Sequence, residues 1–389
     1  MKQNMRLCVL TSGYPSKGRF VFVFVEQLVN ALVDLGVEVS VVAPQSLTQC
    51  LFRKIPVLPQ KQVHYTSQSR QYDVYRPYSI SFGNGKKLLY KLVSRFNSRR
   101  LTSCVDLVKP DVLYAHFFVN ACKLVDYALQ NQKPLFVACG EGDNALEELV
   151  ATISADEKSK LTRAIKGVIS VSSENKRKCV EYGLVPEDRI VVLPNAVDTN
   201  VFHPMSKNYE LRTELHVTQE DFLLLFVGSF IPRKGSGILA KAINQIHDEH
   251  IKIIFAGKTM AGDEDDPVCD GIVYKGPIPH DQLPQYYAAA DAFVLPTQKE
   301  GCCNAIVEAL AMGIPVISSN GAFNDDILDE TNSIQIDPLN VNEIAAAILK
   351  MKNDQVFYNQ LRNNLLTKTT LSITKRAESV LGFIEGMCE

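Results

Sequence analysis

Short runs of apolar residues alternate with stretches of helical periodicity along the whole chain. In the first half, runs at 6–10, 37–43, 111–115, 135–139 and 167–172 predict buried strands, and in the second half 190–193, 222–228, 251–256, 272–274, 291–295, 315–318 and 334–336 do the same. Helical periodicity fills the gaps, as at 21–35, 120–130, 235–249, 304–312 and 341–352. Strands that are apolar without alternation are buried on both faces, and helices in the gaps supply the cover, so the pattern predicts parallel sheets of an α/β protein. It breaks at Leu193-Pro194-Asn195-Ala196-Val197-Asp198, which places a seam between Pro186 and Pro204 and divides the chain into 1–185 and 186–370. In the remaining 371–389, Ile373, Ala377, Val380, Leu381, Ile384 and Met387 share one face of a helix with something to pack on.

Composition supports two domains and narrows the class. A chain of 389 residues is too long for one ordinary core. With 46 % hydrophobic and 22 % charged residues it has the balance of a folded, soluble protein. No apolar run approaches the roughly 20 residues that span a bilayer. The run Leu7–Leu10 is too short for the core of a signal peptide, which predicts a cytoplasmic protein. The ten cysteines form no CxxC pair and read as reduced core residues, and the seven histidines show no HxxxH or HxH pairing, so no protein metal site is expected. The net charge of −2 hides an asymmetry: residues 1–170 carry 22 basic and 13 acidic side chains, residues 171–389 carry 19 and 30. Within 50–105 there are eleven Lys/Arg and one acid, Asp73, which suits an anionic partner.

Ligands of open α/β sheets bind beyond the carboxyl ends of the strands, so the residues that follow each strand are the candidates. They include the turn 12–18 with Gly18, His116, the stretch Gly140-Glu141-Gly142-Asp143, the loop from Ser229 to Gly235 with Arg233 and Lys234, Gly257-Lys258, and Pro296 to Glu300. Most informative is Glu300-Gly301-Cys302-Cys303-Asn304 leading into a helix that carries Glu308. Free N–H groups at that helix start suit a diphosphate. Glu300 and Glu308 beside it suit sugar and ribose hydroxyls, which donate to carboxylate oxygens. Arg233 and Lys234 suit the diphosphate charge, as cations that stabilise a leaving group. The plain alternatives are a capped surface helix and a solvated basic turn. A lone histidine such as His116 is more often structural, but its place on a polar rim favours a functional role. The acidic run Asp263-Glu264-Asp265-Asp266 reads as a solvated loop. In 86–100, Lys87, Lys91, Arg95 and Arg99 fall on one helical stripe beside Leu88, Leu89, Leu92, Val93 and Phe96. That pattern suits a helix lying on an anionic membrane, or one packed on its own sheet with a basic edge. No nucleic-acid module accompanies it.

These residues resemble the family-4 retaining glycosyltransferases, which have the GT-B fold. The resemblance rests on Glu300-x7-Glu308 continuing through Ala309-Leu310-Ala311-Met312-Gly313-Ile314-Pro315, on Val227-Gly228 through Lys234-Gly235, on Tyr286-Tyr287-Ala288-Ala289-Ala290-Asp291, and on Leu193 to Asp198. It implies two Rossmann-like domains facing across a cleft, the first binding the acceptor, the second the nucleotide sugar, with the last helix returning to the first. It further implies that Glu300 contacts the donor sugar, Glu308 the ribose, Arg233 and Lys234 the diphosphate, and that His116 touches the donor near the reacting carbon. Gly18, Ser229, Gly301, Cys302, Cys303 and Asn304 would complete the donor site. The implied reaction moves a sugar from a UDP- or GDP-sugar, UDP first, to a hydroxyl acceptor, without a cofactor or bound metal; the stripe in 86–100 adds the expectation of a glycan or lipid-linked acceptor at the cytoplasmic membrane face. A nucleotide-sugar 2-epimerase and a non-catalytic sugar-nucleotide binder are the alternatives. The sequence departs from the family at Ser229, where an arginine is common, at Cys302-Cys303, which replace Phe-Pro or Phe-Gly, and at Ala196, in place of glycine.

Overall fold

A computed structural model describes residues 5–16, 21–81, 87–142, 144–367 and 371–389, with the side chains of the helix 87–108 described from Leu92 onward. Gly18, Lys86 and the side chains of Lys87 and Lys91 lie outside the described residues. The chain forms two compact units: Met1–Val171, Asn175–Leu193 and Ile373–Glu389 make the first, Ser172–Glu174 and Pro194–Ser372 the second.

The first unit runs β1 (Arg6–Leu10), α1 (Val23–Asp34), β2 (Glu38–Val42), β3 (Gln45–Ser46), α2 (Leu47–Phe52), β4 (Lys61–Tyr65), β5 (Gln71–Tyr75), β6 (Tyr78–Ser79), α3 (Lys87–Val108), β7 (Val112–His116), α4 (Phe118–Gln130), β8 (Leu135–Cys139), α5 (Ala145–Thr152), α6 (Ala155–Ala164), β9 (Ile165–Ser170), α7 (Ser173–Glu181) and β10 (Ile190–Val192). Eight strands form one sheet in the order β10-β9-β8-β7-β1-β2-β5-β4. Every pairing is parallel except β4 with β5. Every residue of β7 and β8 is buried, as expected for central strands whose side chains are apolar on both faces. β4 is an edge strand whose residues alternate between exposed and half-buried, so it carries no apolar run to betray it.

Two sequence expectations are corrected here. Residues 190–193, grouped with the second sheet, complete the first: Ile190 pairs with Val168 and is buried in the first unit's core. The sheet is also not wholly parallel, because the hairpin β4–β5 adds an antiparallel edge.

The second unit runs α8 (Tyr209–Glu214), β11 (Phe222–Val227), α9 (Ser236–Ile246), β12 (Ile251–Ala256), β13 (Ile272–Gly276), α10 (Leu283–Ala289), β14 (Ala292–Leu295), α11 (Asn304–Ala311), β15 (Val316–Ser319), β16 (Ser333–Ile336), α12 (Val341–Asn353) and α13 (Gln355–Thr367). Its six strands are all parallel, in the order β13-β12-β11-β14-β15-β16. The chain order reverses between β11 and β14, and at such a reversal the loops leave the sheet in opposite directions and open a crevice beyond the carboxyl ends. In the first unit the same reversal falls between β1 and β7. After the second unit the chain returns as α14 (Ile373–Cys388) to pack on α1 and β9 of the first. Ala377, Val380 and Ile384 are fully buried there. Gly167 of β9 permits the approach, since a Cβ at that position would lie 2.8 Å from the Phe383 ring.

Candidate functional site

The reversal in the second sheet is where the candidate residues collect. The loop after β11 ends in a single 3₁₀ turn, Pro232–Lys234, closed by Gly235 at φ 75°. A side chain at 235 would be strained by that φ and would place Cβ 2.3 Å from the Pro296 carbonyl oxygen, so glycine lets this loop lie against the one after β14. The two loops are laced together. Gln298 N–H donates to Arg233 O (2.8 Å), Gln298 Nε2 to Pro232 O (3.0 Å), and Arg233 Nη1 to Lys299 O (2.7 Å).

At their junction sits Glu300, its side chain 13 % exposed. Its Oε1 accepts from Lys234 Nζ, from Thr297 Oγ1 (2.8 Å) and from Arg233 Nη1 (3.3 Å). Burial works against the Lys234 ammonium, but the Glu300 carboxylate beside it favours the charged form, and its pKa is held above the ordinary lysine value. The site therefore keeps a fixed positive charge, as a diphosphate leaving group requires.

Glu300 leads through Gly301 and Cys302 to Cys303, the N-cap residue just before α11, whose side chain makes no capping hydrogen bond. Asn195, in the segment that joins the units, braces the turn: its Nδ2 donates to Cys302 O (3.0 Å) and to Asn304 Oδ1 (2.8 Å). Burial pushes the Cys303 thiol up to about 11, so it is a neutral wall. The competing helix start in this unit, that of α9, is already filled. Asp265 Oδ2 accepts from Gly237 N–H (2.6 Å) and Ser236 Oγ (3.1 Å). Asp265 was expected in a solvated loop and is instead a helix cap. Of the two starts nearest the crevice, that of α9 is thus capped by Asp265, whereas the N-cap side chain of α11, Cys303, makes no capping hydrogen bond.

Glu308, one turn into α11, is 6 % exposed. Its Oε1 accepts from His280 Nε2 (3.0 Å) and its Oε2 from Tyr287 Oη (3.0 Å). The hydrogen bond to Glu308 raises the His280 pKa against burial. Phe202 packs on both partners, at 5.2 Å from the His280 ring and 6.1 Å from that of Tyr287. His280 escaped the sequence reading because it lies four residues beyond the end of β13, past Pro277 and Pro279, and only the fold brings it to Glu308. The structure thus brings Arg233, Lys234, Glu300, Cys303, Asn304 and Glu308 together in one unit, with Ser229 half-buried on the loop after β11.

His116 belongs to the first unit. It ends β7, is 5 % exposed, and burial pushes its pKa down to about 3, so the imidazole is neutral. Asn120 Nδ2 donates to His116 O (2.7 Å) and Ser12 Oγ donates to Asn120 Oδ1 (3.1 Å), which ties the turn after β1 to the start of α4. Glu141, after β8, is one of the strand-end candidates, to which the sequence assigned no role. Its Oε1 accepts from Phe118 N–H (2.6 Å), and burial pushes its carboxyl up to about 7.

Comparison with known proteins agrees with both halves. Residues 221–354 match the family described as Glycosyl transferases group 1, and residues 21–201 the family described as Glycosyltransferase Family 4. TuaC of Bacillus subtilis (strain 168), a glycosyltransferase whose name assigns it to teichuronic acid biosynthesis, is 24 % identical over 377 residues, 93 % of this chain and 92 % of that one. An Escherichia coli enzyme named UDP-Gal:alpha-D-GlcNAc-diphosphoundecaprenol alpha-1,3-galactosyltransferase is 26 % identical over 226 residues, 55 % of this chain and 58 % of that one. Anabaena HepE, solved in complex with UDP, is similar in fold with a TM-score of 0.72 at 17 % identity, over 98 % of this chain and 100 % of that one.

Proposed function

The chain belongs to the family-4 glycosyltransferases of GT-B type, and from that premise we propose that it transfers a sugar, with retention at the anomeric carbon, from a nucleoside diphosphate sugar to a hydroxyl of a glycan or lipid-linked acceptor. UDP is the proposed nucleotide ahead of GDP. The observation that carries the reading is the carboxylate of Glu300 held by two cations beside the start of α11. In the proposed scheme the N–H groups of α11, with Arg233 and Lys234, take the diphosphate and stabilise it as it leaves. No protein-bound metal enters the scheme. Glu300 takes donor sugar hydroxyls and Glu308 the ribose, using the carboxylate lone pairs that His280 and Tyr287 leave open. The neutral His116 contacts the donor sugar near the reacting carbon, and the first unit binds the acceptor. The UDP of HepE and the diphosphoundecaprenol acceptor of the E. coli relative support the donor and acceptor classes.

We further place the reaction at an anionic membrane surface on the cytoplasmic side. No helix of the described residues is long and apolar enough to cross a membrane. On α3, Leu92 is 63 % and Phe96 44 % exposed, and Arg95, Arg99 and Arg100 are exposed beside them. Exposed apolar groups flanked by cations support contact through 86–100.

The test is a melting-temperature screen across UDP, GDP, ADP and their sugars, followed by incubation of the stabilising donor with lipid-linked oligosaccharides. A binding nucleotide raises the melting temperature by mass action. The proposal expects one nucleotide to stand out and labelled sugar to move to an acceptor with retained configuration. Clean conversion of the donor to its 2-epimer would replace it with the epimerase reading, and nucleotide binding without any turnover would replace it with the non-catalytic one.

A further inference from the structure

Eight non-glycine residues have positive φ among the described residues. Six are polar and sit in turns or at helix ends: Lys54, Ser69, Lys109, Gln132, His216 and His247. The other two are phenylalanines, Phe22 (φ 53°) and Phe117 (φ 76°, ψ 149°), and the second borders a region that only glycine enters freely. Phe22 precedes α1 and Phe117 precedes α4, so both stand at the reversal between β1 and β7, where a sheet of this kind binds its ligand.

The two strained residues meet. Their rings lie 6.1 Å apart, and Phe24 stands 5.8 Å from Phe22 and 6.4 Å from Phe117. All three are half-buried, so the cluster has a solvent side. His116 borders it, 4.9 Å from the Phe117 ring and 5.3 Å from that of Phe24. Its Nδ1 is buried without a hydrogen-bond partner among the described residues, and so is Oε2 of Glu141, whose other oxygen holds the N–H next to Phe117. Buried polar atoms in folded proteins are almost always paired. An occupant that completes this site therefore offers an apolar face to the rings and hydroxyls to the polar atoms.

We propose that Phe22, Phe24 and Phe117 form a stacking platform for a pyranose ring of the acceptor, with the ring's hydroxyl edge towards His116 and Glu141. A pyranose carries C–H groups on its faces and hydroxyls around its edge, whereas an alkyl chain would leave Nδ1 and Oε2 unpaired. The inference rests on the transferase reading in one respect: the attacking hydroxyl must lie beside the donor's reacting carbon, which that reading puts at His116. The strained backbone at Phe22 and Phe117 is the cost of aiming two rings at one spot.

The test is saturation-transfer difference NMR on the full chain, with methyl glucopyranoside, methyl galactopyranoside, methyl N-acetylglucosaminide, uridine and n-octanol as probes. The wild type is expected to pass saturation to the ring C–H protons of at least one pyranoside. Phe117→Gly, which keeps the positive φ and removes the ring, and Phe24→Leu are each expected to reduce that transfer by about fivefold, the loss of one aromatic contact. Both variants should keep the wild-type melting shift with nucleoside diphosphates, which reads the other unit. Absence of transfer to every pyranoside, transfer undiminished in both variants, or saturation of octanol or uridine above the pyranosides overturns the platform. Loss of the nucleotide-induced shift in the wild type counts against the transferase reading instead, and leaves the pyranoside signal to be judged by itself.

Discussion

Glu300 and Glu308 sit on one short stretch of chain in opposite electrostatic settings. Glu300 faces two cations, whereas Glu308 faces an imidazole and a phenol. The His280 pKa is raised because Glu308 favours its charged form. A histidine whose folded-state pKa lies above the unfolded value adds stability that is fully present below the unfolded pKa of about 6.5 and is lost as pH rises through the folded pKa. The melting-temperature gap between wild type and His280→Gln is therefore expected to be widest near pH 6 and to narrow towards pH 8.5. A gap that widens with pH would show that His280 is held neutral. At this scale the sequence was informative about Glu300, Arg233 and Lys234, because each follows a strand and lies next to a glycine turn. It was silent on His280, whose role depends on the fold bringing it to Glu308, and it placed Glu141 at a strand end without announcing its burial.

Two helix starts show how elements decide a site. Asp265 fills that of α9, and the N-cap side chain of α11, Cys303, makes no capping hydrogen bond. Asp265→Ala removes a cap and is expected to lower stability by about 1 kcal/mol, with nucleotide affinity unchanged; calorimetric unfolding and nucleotide titration check the two halves of that statement. A loss of nucleotide affinity larger than the loss of stability would move the anion site to α9. Among the strands that the apolar pattern revealed, β7, β8, β11 and β12 are buried on both faces, whereas the edge strand β13 is only half-buried. The hairpin β4–β5 was missed because an edge strand alternates, and β10 was misplaced because a three-residue strand carries no mark of the sheet it joins.

On the scale of the whole molecule, two parallel sheets and their reversals of strand order follow from the alternation of apolar runs and helices. The path of the last helix does not follow, since its apolar face predicts only that it packs. α14 belongs to the first unit, where Ile384 is fully buried. Ile384→Ala is expected to cost about 2–5 kcal/mol, read as a loss of first-unit protection in hydrogen exchange while the second unit keeps its nucleotide response. The central claim concerns the second unit: Glu300, backed by Lys234 and Arg233, holds the donor sugar as the diphosphate leaves. The direct measurement is the single-turnover transfer rate of Glu300→Gln against wild type, with nucleoside diphosphate affinity measured on the same preparations. A fall in rate of about 100-fold or more, the scale for losing one preorganised polar group, with affinity and melting temperature close to wild type, is the predicted result. Near-normal turnover by Glu300→Gln would contradict it.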